Sequence, residues 1–269
     1  MYVKKNGVNG PAEQDVGLIR PMKHGSDPFV GPDALFVMIP SELAYLTKLC
    51  HARKRSKPGP GFFDLYQTPP GGRTSLTLAG PFLGAPQAVI GLEKIIALGA
   101  ERIWILGWCG SITPDLRVGD LVIPTKALSE EGTSRHSPVG RRRPMTDRGF
   151  NQMLTNALTR AGHPYRLGTL WTTDAPYRET PRKVIGFRQR GAIAVEMEMS
   201  ALMRVALYRG VRLAGILTVS DELFSLTWHA GFSNPRLKRG SRLAGRALLQ
   251  TIRSLGTPFP CDTDIRRKP

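Results

Sequence analysis

Three acidic residues stand where apolar runs stop. Glu196 and Glu198 flank Met197 at the end of "AIAVEM", and Asp221 follows Ser220 at the end of "VRLAGILTVSD". A carboxylate in such a place is costly to desolvate unless it gains a partner. One acid ending a strand can accept hydrogen bonds from vicinal hydroxyls, and charge-assisted bonds of that kind are strong. A second acid opposite it can give a proton to a leaving group. Met197 adds flexible apolar surface against a sugar or base. The chemistry that uses such a set is cleavage of a glycosidic bond, whose transition state has oxocarbenium character. The same residues have a plainer use, because acids favour the first turn of a helix and Ser-Asp pairs cap helices. A third stretch, "GWCGS", carries Gly107 and Gly110, where backbone N–H groups can approach an anion, although a tight turn would use the same glycines.

These residues need elements to hold them. "ALFVMI" (34–39) is a short apolar run expected as a buried strand that Pro40 ends, and Ser41 is placed to cap a helix through about Ala52. "KPGPG" (57–61) reads as a loop, and "FFDLYQT" and "TSLTLAG" as paired strands around "PPGG". In "APQAVIGLEKIIALGA", Val89, Leu92, Ile95 and Ile96 form a helical stripe that Gly99 stops. "RIWILGWCG" is expected as a strand running into a glycine turn, followed by a strand at "VGDLVIP" and a basic loop over 128–146. Helix, strand, helix, strand, helix and strand then alternate from "GFNQMLTNALTRAG" to "VRLAGILTVSD", with a last helix over roughly 238–255. Such alternation predicts an α/β fold with a mainly parallel sheet. Ligands of such sheets bind at the carboxyl ends of strands, which singles out "GWCGS", "TTDAP", "VEMEM" and "VSDEL".

The chain has 269 residues, and no convincing linker or repeat divides it. The expected organisation is an irregular arm over 1–33, one domain over 34–255 and a basic tail over 256–269. The longest apolar stretches, such as "AGILTV", are far too short to cross a bilayer, so no membrane partner is expected. The polar start "MYVKKNGVNG" shows no secretory signal, and the odd, scattered cysteines Cys50, Cys109 and Cys261 suit a reducing cytoplasm. Neither C-x-x-C nor H-E-x-x-H occurs, so no metal site is expected. The net charge of +17 favours anionic partners. Nucleic acid is allowed by that charge but not favoured, since no stretch interleaves arginines with aromatic residues. The basic clusters at 51–58, 140–144 and 236–246 otherwise read as solvated surface.

The order "GAPQAVIGLEKIIALGAERIWILGWCGSITPDLRVGDLVIP", "EGTSRH", "TTDAPYRE", "AVEMEMSAL", "TVSDEL" resembles the nucleoside phosphorylase superfamily of purine nucleoside phosphorylases, uridine phosphorylases and methylthioadenosine nucleosidases over roughly residues 34–255. The resemblance implies a single α/β domain around a twisted, partly closed mixed sheet flanked by helices. It also implies a dimer-based homo-oligomer, extending up to a hexamer, and no cofactor beyond inorganic phosphate as co-substrate. By motif, Glu198 would hold the ribose hydroxyls, Met197 would pack on the sugar and Glu196 would support them. Asp221 would protonate a purine leaving group, oriented by Ser220. Asp174, Tyr177 and Arg178 would lie on the base side, with Tyr177 as a stacking ring. Gly107, Gly110 and Ser111 would form part of the phosphate pocket. "EGTSRH" resembles the uridine branch more, and "VSDEL" the purine branch. The implied activity is phosphate-dependent cleavage of a nucleoside, purine favoured, to base and ribose 1-phosphate, as in purine salvage.

The chain departs from the family pattern at two phosphate contacts. Ile105 and Trp108 replace an arginine and a serine or threonine, and "IPSELA" replaces a glycine-aspartate-proline loop. Either Arg135, Arg178 or a residue of "RKRSK" supplies the missing charge, or water is the nucleophile, as in the nucleosidase branch. A silent nucleoside- or nucleic-acid-binding relative is the reading of another class.

Overall fold

The computed structural model describes residues 17–25, 27–55, 62–70, 75–257 and 259–261. The expected loop at 57–61, most of the expected arm and most of the expected tail therefore lie outside the described residues.

In chain order the elements are β1 (Asp33–Val37), α1 (Pro40–Leu49), β2 (Arg53–Lys54), β3 (Asp64–Gln67), β4 (Thr77–Gly80), α2 (Ala85–Ala97), β5 (Arg102–Ser111) and β6 (Leu121–Ser129). They continue with α3 (Arg148–Arg160), β7 (Tyr165–Thr172), α4 (Pro181–Gln189), β8 (Ala192–Glu196), α5 (Met199–Arg209), β9 (Arg212–Glu222), β10 (His229–Ala230) and α6 (Pro235–Ser254). One mixed sheet runs β10-β9-β6-β7-β8-β5-β1-β4-β3-β2, and β9 also pairs with β5. That extra pairing closes β5, β6, β7, β8 and β9 into a five-stranded barrel. The pairs β5–β9, β6–β7 and β7–β8 are parallel, whereas β5–β8 and β6–β9 are antiparallel. The result is the single α/β domain with a mixed, partly closed sheet that the resemblance implied.

The strands form because short β-branched and aliphatic runs bury completely. All five residues of β1 are buried, as are Leu213 to Ser220 of β9. The helices pack on both sides of this sheet. Trp104 of β5 stacks on Phe150 of α3 at 4.4 Å, and Phe36 of β1 stacks on Phe82 at 4.8 Å. Aromatic pairs at such distances add to area burial. The start of β1 is fixed by Asp33, which is fully buried. Its carboxylate accepts two hydrogen bonds from Arg102, one from the Trp104 indole and one from Thr257. A buried charge persists only with such partners.

Several expectations are corrected. Pro40 does more than end β1: it is the first residue of α1, where its missing N–H costs nothing. Ser41 therefore lies inside the helix, and the cap position is Ile39 with no side-chain bond. Gly107 and Gly110 sit within β5 rather than in a turn after it. They are needed there for closeness. A Cβ on Gly107 would fall 2.8 Å from Leu217, and one on Gly110 would fall 2.7 Å from Leu223. The last helix starts at Pro235, capped by Asn234, which accepts from Arg236 N. The loop at 128–146 is shortened by β6, which runs to Ser129.

Candidate active site

All four strand-end segments reach one cavity of about 600 Å³, "TTDAP" through Pro176 alone, and the loop that follows it adds Tyr177 and Glu179. β5 contributes Trp108, Cys109 and Gly110. β8 and the turn after it contribute Val195, Glu196, Met197 and Glu198. β9 contributes Ser220 and Asp221, and Pro176, Tyr177 and Glu179 come from the loop after β7. The strand ends meet because β9 pairs with β5 through a register shift between Cys109 and Gly110, which sets Gly110 opposite Asp221.

Glu196 and Glu198 have different partners. One oxygen of Glu196 accepts from the N–H groups of Glu198 and Met199, each at 2.7 Å, and the other accepts from the Thr172 hydroxyl. Glu196 thus satisfies the first turn of α5, which is the plainer use expected of an acid there. Behind it, Ser200 N donates to Thr172 and Ser200 Oγ to Glu131. Glu131, the acid of "EGTSRH", also accepts from Ser129 and from Ser134 N, so that motif braces α5 from the back. Glu198 accepts from Gly84 N at 2.6 Å and lines the cavity. Burial pushes the carboxyl of Glu196 up to about 7 and that of Glu198 to about 8, the latter helped by the neighbouring Glu196 charge.

Asp221 accepts from Ser220 Oγ at 2.6 Å and from the Trp228 indole N–H at 2.9 Å. Ser220 also reaches the Cys109 carbonyl at 3.2 Å. Cys109 itself is no nucleophile: burial, then the charges of Asp221 and Glu196, raise its thiol well above the ordinary range. Trp108 donates to Ser241 of α6 at 2.8 Å and lies 6.0 Å from Phe232, which lies 6.2 Å from Trp228. These rings, with Phe82, make an aromatic wall.

Among the residues expected at the site, Glu196, Met197, Glu198, Ser220, Asp221, Tyr177 and Gly110 line the cavity, with Tyr177 fully exposed at its mouth. Gly107, Ser111, Arg135, Asp174 and Arg178 do not line it. The Ser111 hydroxyl is buried and donates to the Thr113 carbonyl. Asp174 is spent on Gly132 N, and Arg135 and Arg178 are exposed outside the cavity. Sequence reasoning missed Glu179, whose carboxyl is pushed up to about 7 by burial and by the charges of Asp221 and Glu130. It also missed Trp228 and Phe232, which sit in a loop with no periodic signal. Among the described lining residues there are four carboxylates and no lysine, arginine or histidine.

Residues 33–252 match the sequence model described as the phosphorylase superfamily. The chain belongs to that superfamily. Relatives include a guanosine phosphorylase from Halorubrum lacusprofundi, 30% identical over 150 residues that make up 56% of this chain and 62% of that one. A DeoD-type purine nucleoside phosphorylase from Bacillus cereus is 31% identical over 152 residues, 56% of this chain and 65% of that one. The chain thus spans less than two thirds of the length of these relatives. Among solved structures, purine nucleoside phosphorylase from Toxoplasma gondii in complex with immucillin-H superposes with a TM-score of 0.75 at 21% identity, covering 84% of this chain and 92% of that one. AMP nucleosidase from Bacteroides thetaiotaomicron gives 0.67 at 18%, covering 85% and 91%. Likenesses at that identity show that this member of the superfamily shares their fold. Among its described residues no group of His, Cys, Asp and Glu could hold a metal ion, and no helix is long and apolar enough to cross a membrane.

Proposed function

We propose that this chain cleaves the N-glycosidic bond of a nucleoside, purine favoured, as a pentosyltransferase that uses inorganic phosphate and no cofactor. The observation that carries the reading is the shared cavity of Glu198 and Asp221, two acids from different strand ends facing one space. Glu198, with Met197 beside it, holds the ribose. A carboxyl held up by its acidic surroundings gains most from a ligand that turns positive. The ribose does so as the bond breaks, so the grip tightens toward the transition state. Asp221, steadied by Ser220 and Trp228, assists the departing base at its ring nitrogen. Glu179, on the same cavity, is, like Glu196 and Glu198, a carboxyl able to carry a proton near neutral pH. The relatives named phosphorylase support phosphate as the acceptor.

A second reading, hydrolysis by water, is favoured by one specific observation. Among the described residues the cavity is lined by acids and rings and holds no cation, and an anion enters such a site poorly. One assay separates the two. The protein is incubated with inosine, adenosine and uridine, with and without phosphate, and base release is followed. Phosphate-dependent release of ribose 1-phosphate supports phosphorolysis, and free ribose without phosphate supports hydrolysis. No release in either condition refutes both.

A further inference from the structure

A second concavity of about 310 Å³ lies between α3 and α6 and shares no lining residue with the nucleoside cavity. Its floor is apolar: Ala157, Leu158 and Ala161 from the α3 side, Leu243 and Ala247 from α6. Its rim is cationic. Arg239, Arg242 and Arg246 follow one another at helical spacing, so one face of α6 turns all three toward the same space. His163 stands on the opposite side.

Among the described residues no carboxylate lies within salt-bridge distance of any of the three arginines. Arg242 is laid over the Tyr45 ring at 4.4 Å, and its Nε is buried with no hydrogen-bond partner. Arg246 donates from Nε to the Tyr45 hydroxyl at 2.9 Å. Tyr45 thus aligns two guanidinium groups, and the acid that faces Arg242 is the buried carboxyl of Glu42 on α1, which lies beyond salt-bridge distance. A planar guanidinium held in place keeps several donors free for an oxyanion. A volume of this size sits at the lower end of small-molecule sites, and an apolar floor with a few convergent polar groups is their usual make-up.

We propose that this concavity is a second ligand site that takes a small amphipathic anion. The ligand has an apolar body of one or two rings, or a short alkyl chain, and carries one carboxylate, sulfonate or phosphate group. The floor takes the body, and Arg239, Arg242 and Arg246 take the charge. The apolar floor distinguishes the site from a track for nucleic acid, which needs charge along a line rather than a pocket.

The test is calorimetric titration of the full chain with naphthalene-1-sulfonate, beside inorganic sulfate and neutral 1-naphthalenemethanol. The expected result is one sulfonate bound per chain, with each partial mimic at least about tenfold weaker, since neither supplies both contacts. Arg242→Met with Arg246→Met should weaken the sulfonate at least about tenfold. Because Arg246 also holds Tyr45, Arg239→Met serves as the variant least able to disturb folding, with an expected loss of about threefold or more. The proposal fails if the arginine variants bind unchanged, if sulfate alone binds as tightly as the sulfonate, or if no binding occurs at millimolar concentration.

Discussion

Glu198 allows a prediction whose sign depends on pH. The substitution is Glu198→Gln, which keeps an oxygen to accept from Gly84 N and removes the ionisable proton. The wild-type carboxyl has an ordinary value of 4.5 and is raised to about 8 in the folded chain. A raised acid contributes stability that is fully present below the unfolded value and is lost as pH rises toward the folded one. Between pH 5 and 8 the unfolded chain gives up this proton while the folded chain keeps it. At 1.36 kcal/mol per unit, the ceiling on the loss over that window is about 3–4 kcal/mol. The cavity is open to water on one side, which screens part of this and leaves about 1–2 kcal/mol. For a chain of this size that is roughly 3–6 °C in melting temperature. Thermal melts of both proteins at pH 5 and pH 8, without ligand, read it directly. The variant should melt close to wild type at pH 5 and several degrees above it at pH 8. A variant that loses stability equally at both values, or a wild type whose stability does not fall with pH, would refute the burial argument for Glu198.

Further outcomes follow from the same geometry. Asp221→Asn should lower purine nucleoside cleavage by about 10²-fold or more, measured as base release, because the group that assists the leaving base is lost; an unchanged rate removes it from that role. Glu179→Gln should flatten the pH–rate profile near 7, where its carboxyl titrates, and a profile identical to wild type dismisses it as a proton carrier. Asp33→Ala leaves the buried Trp104 indole and the half-buried Arg102 without their carboxylate and should cost about 3 kcal/mol in denaturant unfolding. Cys50 and Cys261 hold their sulfurs 3.2 Å apart. Mild treatment with diamide should therefore consume two thiols per chain in an Ellman titration, and retention of all three would count against their pairing.

Much of the scaffold was legible because its strands are short apolar runs punctuated by glycine and proline. "RIWILGWCG" and "VRLAGILTVSD" read as strands from their residues alone, the first with its glycines expected in a turn. The acids Glu196 and Asp221 stood out because a carboxylate that ends an apolar run needs a reason. What stayed hidden is set by contacts remote in sequence. That β9 pairs with both β5 and β6, closing the barrel, depends on partners about a hundred residues away. Glu179 gave no signal, since a glutamate before Thr-Pro reads as an ordinary helix approach. Only the fold sets it beside Asp221. Trp228 was equally silent, because its indole meets Asp221 through a loop turn rather than a periodic pattern. The glycines of "GWCGS" misled in location: their role is to let β5 and β9 approach, a demand made by side chains from another strand.

Among the described residues, closing five strands into a ring leaves the sheet with borders at β2 and β10. Each border strand is two residues long and exposed, Arg53–Lys54 on one side and His229–Ala230 on the other. A stray chain seeking to extend the sheet would find few backbone groups to template against, and on one border the charged side chains Arg53 and Lys54, the latter paired with Asp64. The geometry that gathers the acids around one space therefore also denies a foothold to aggregation.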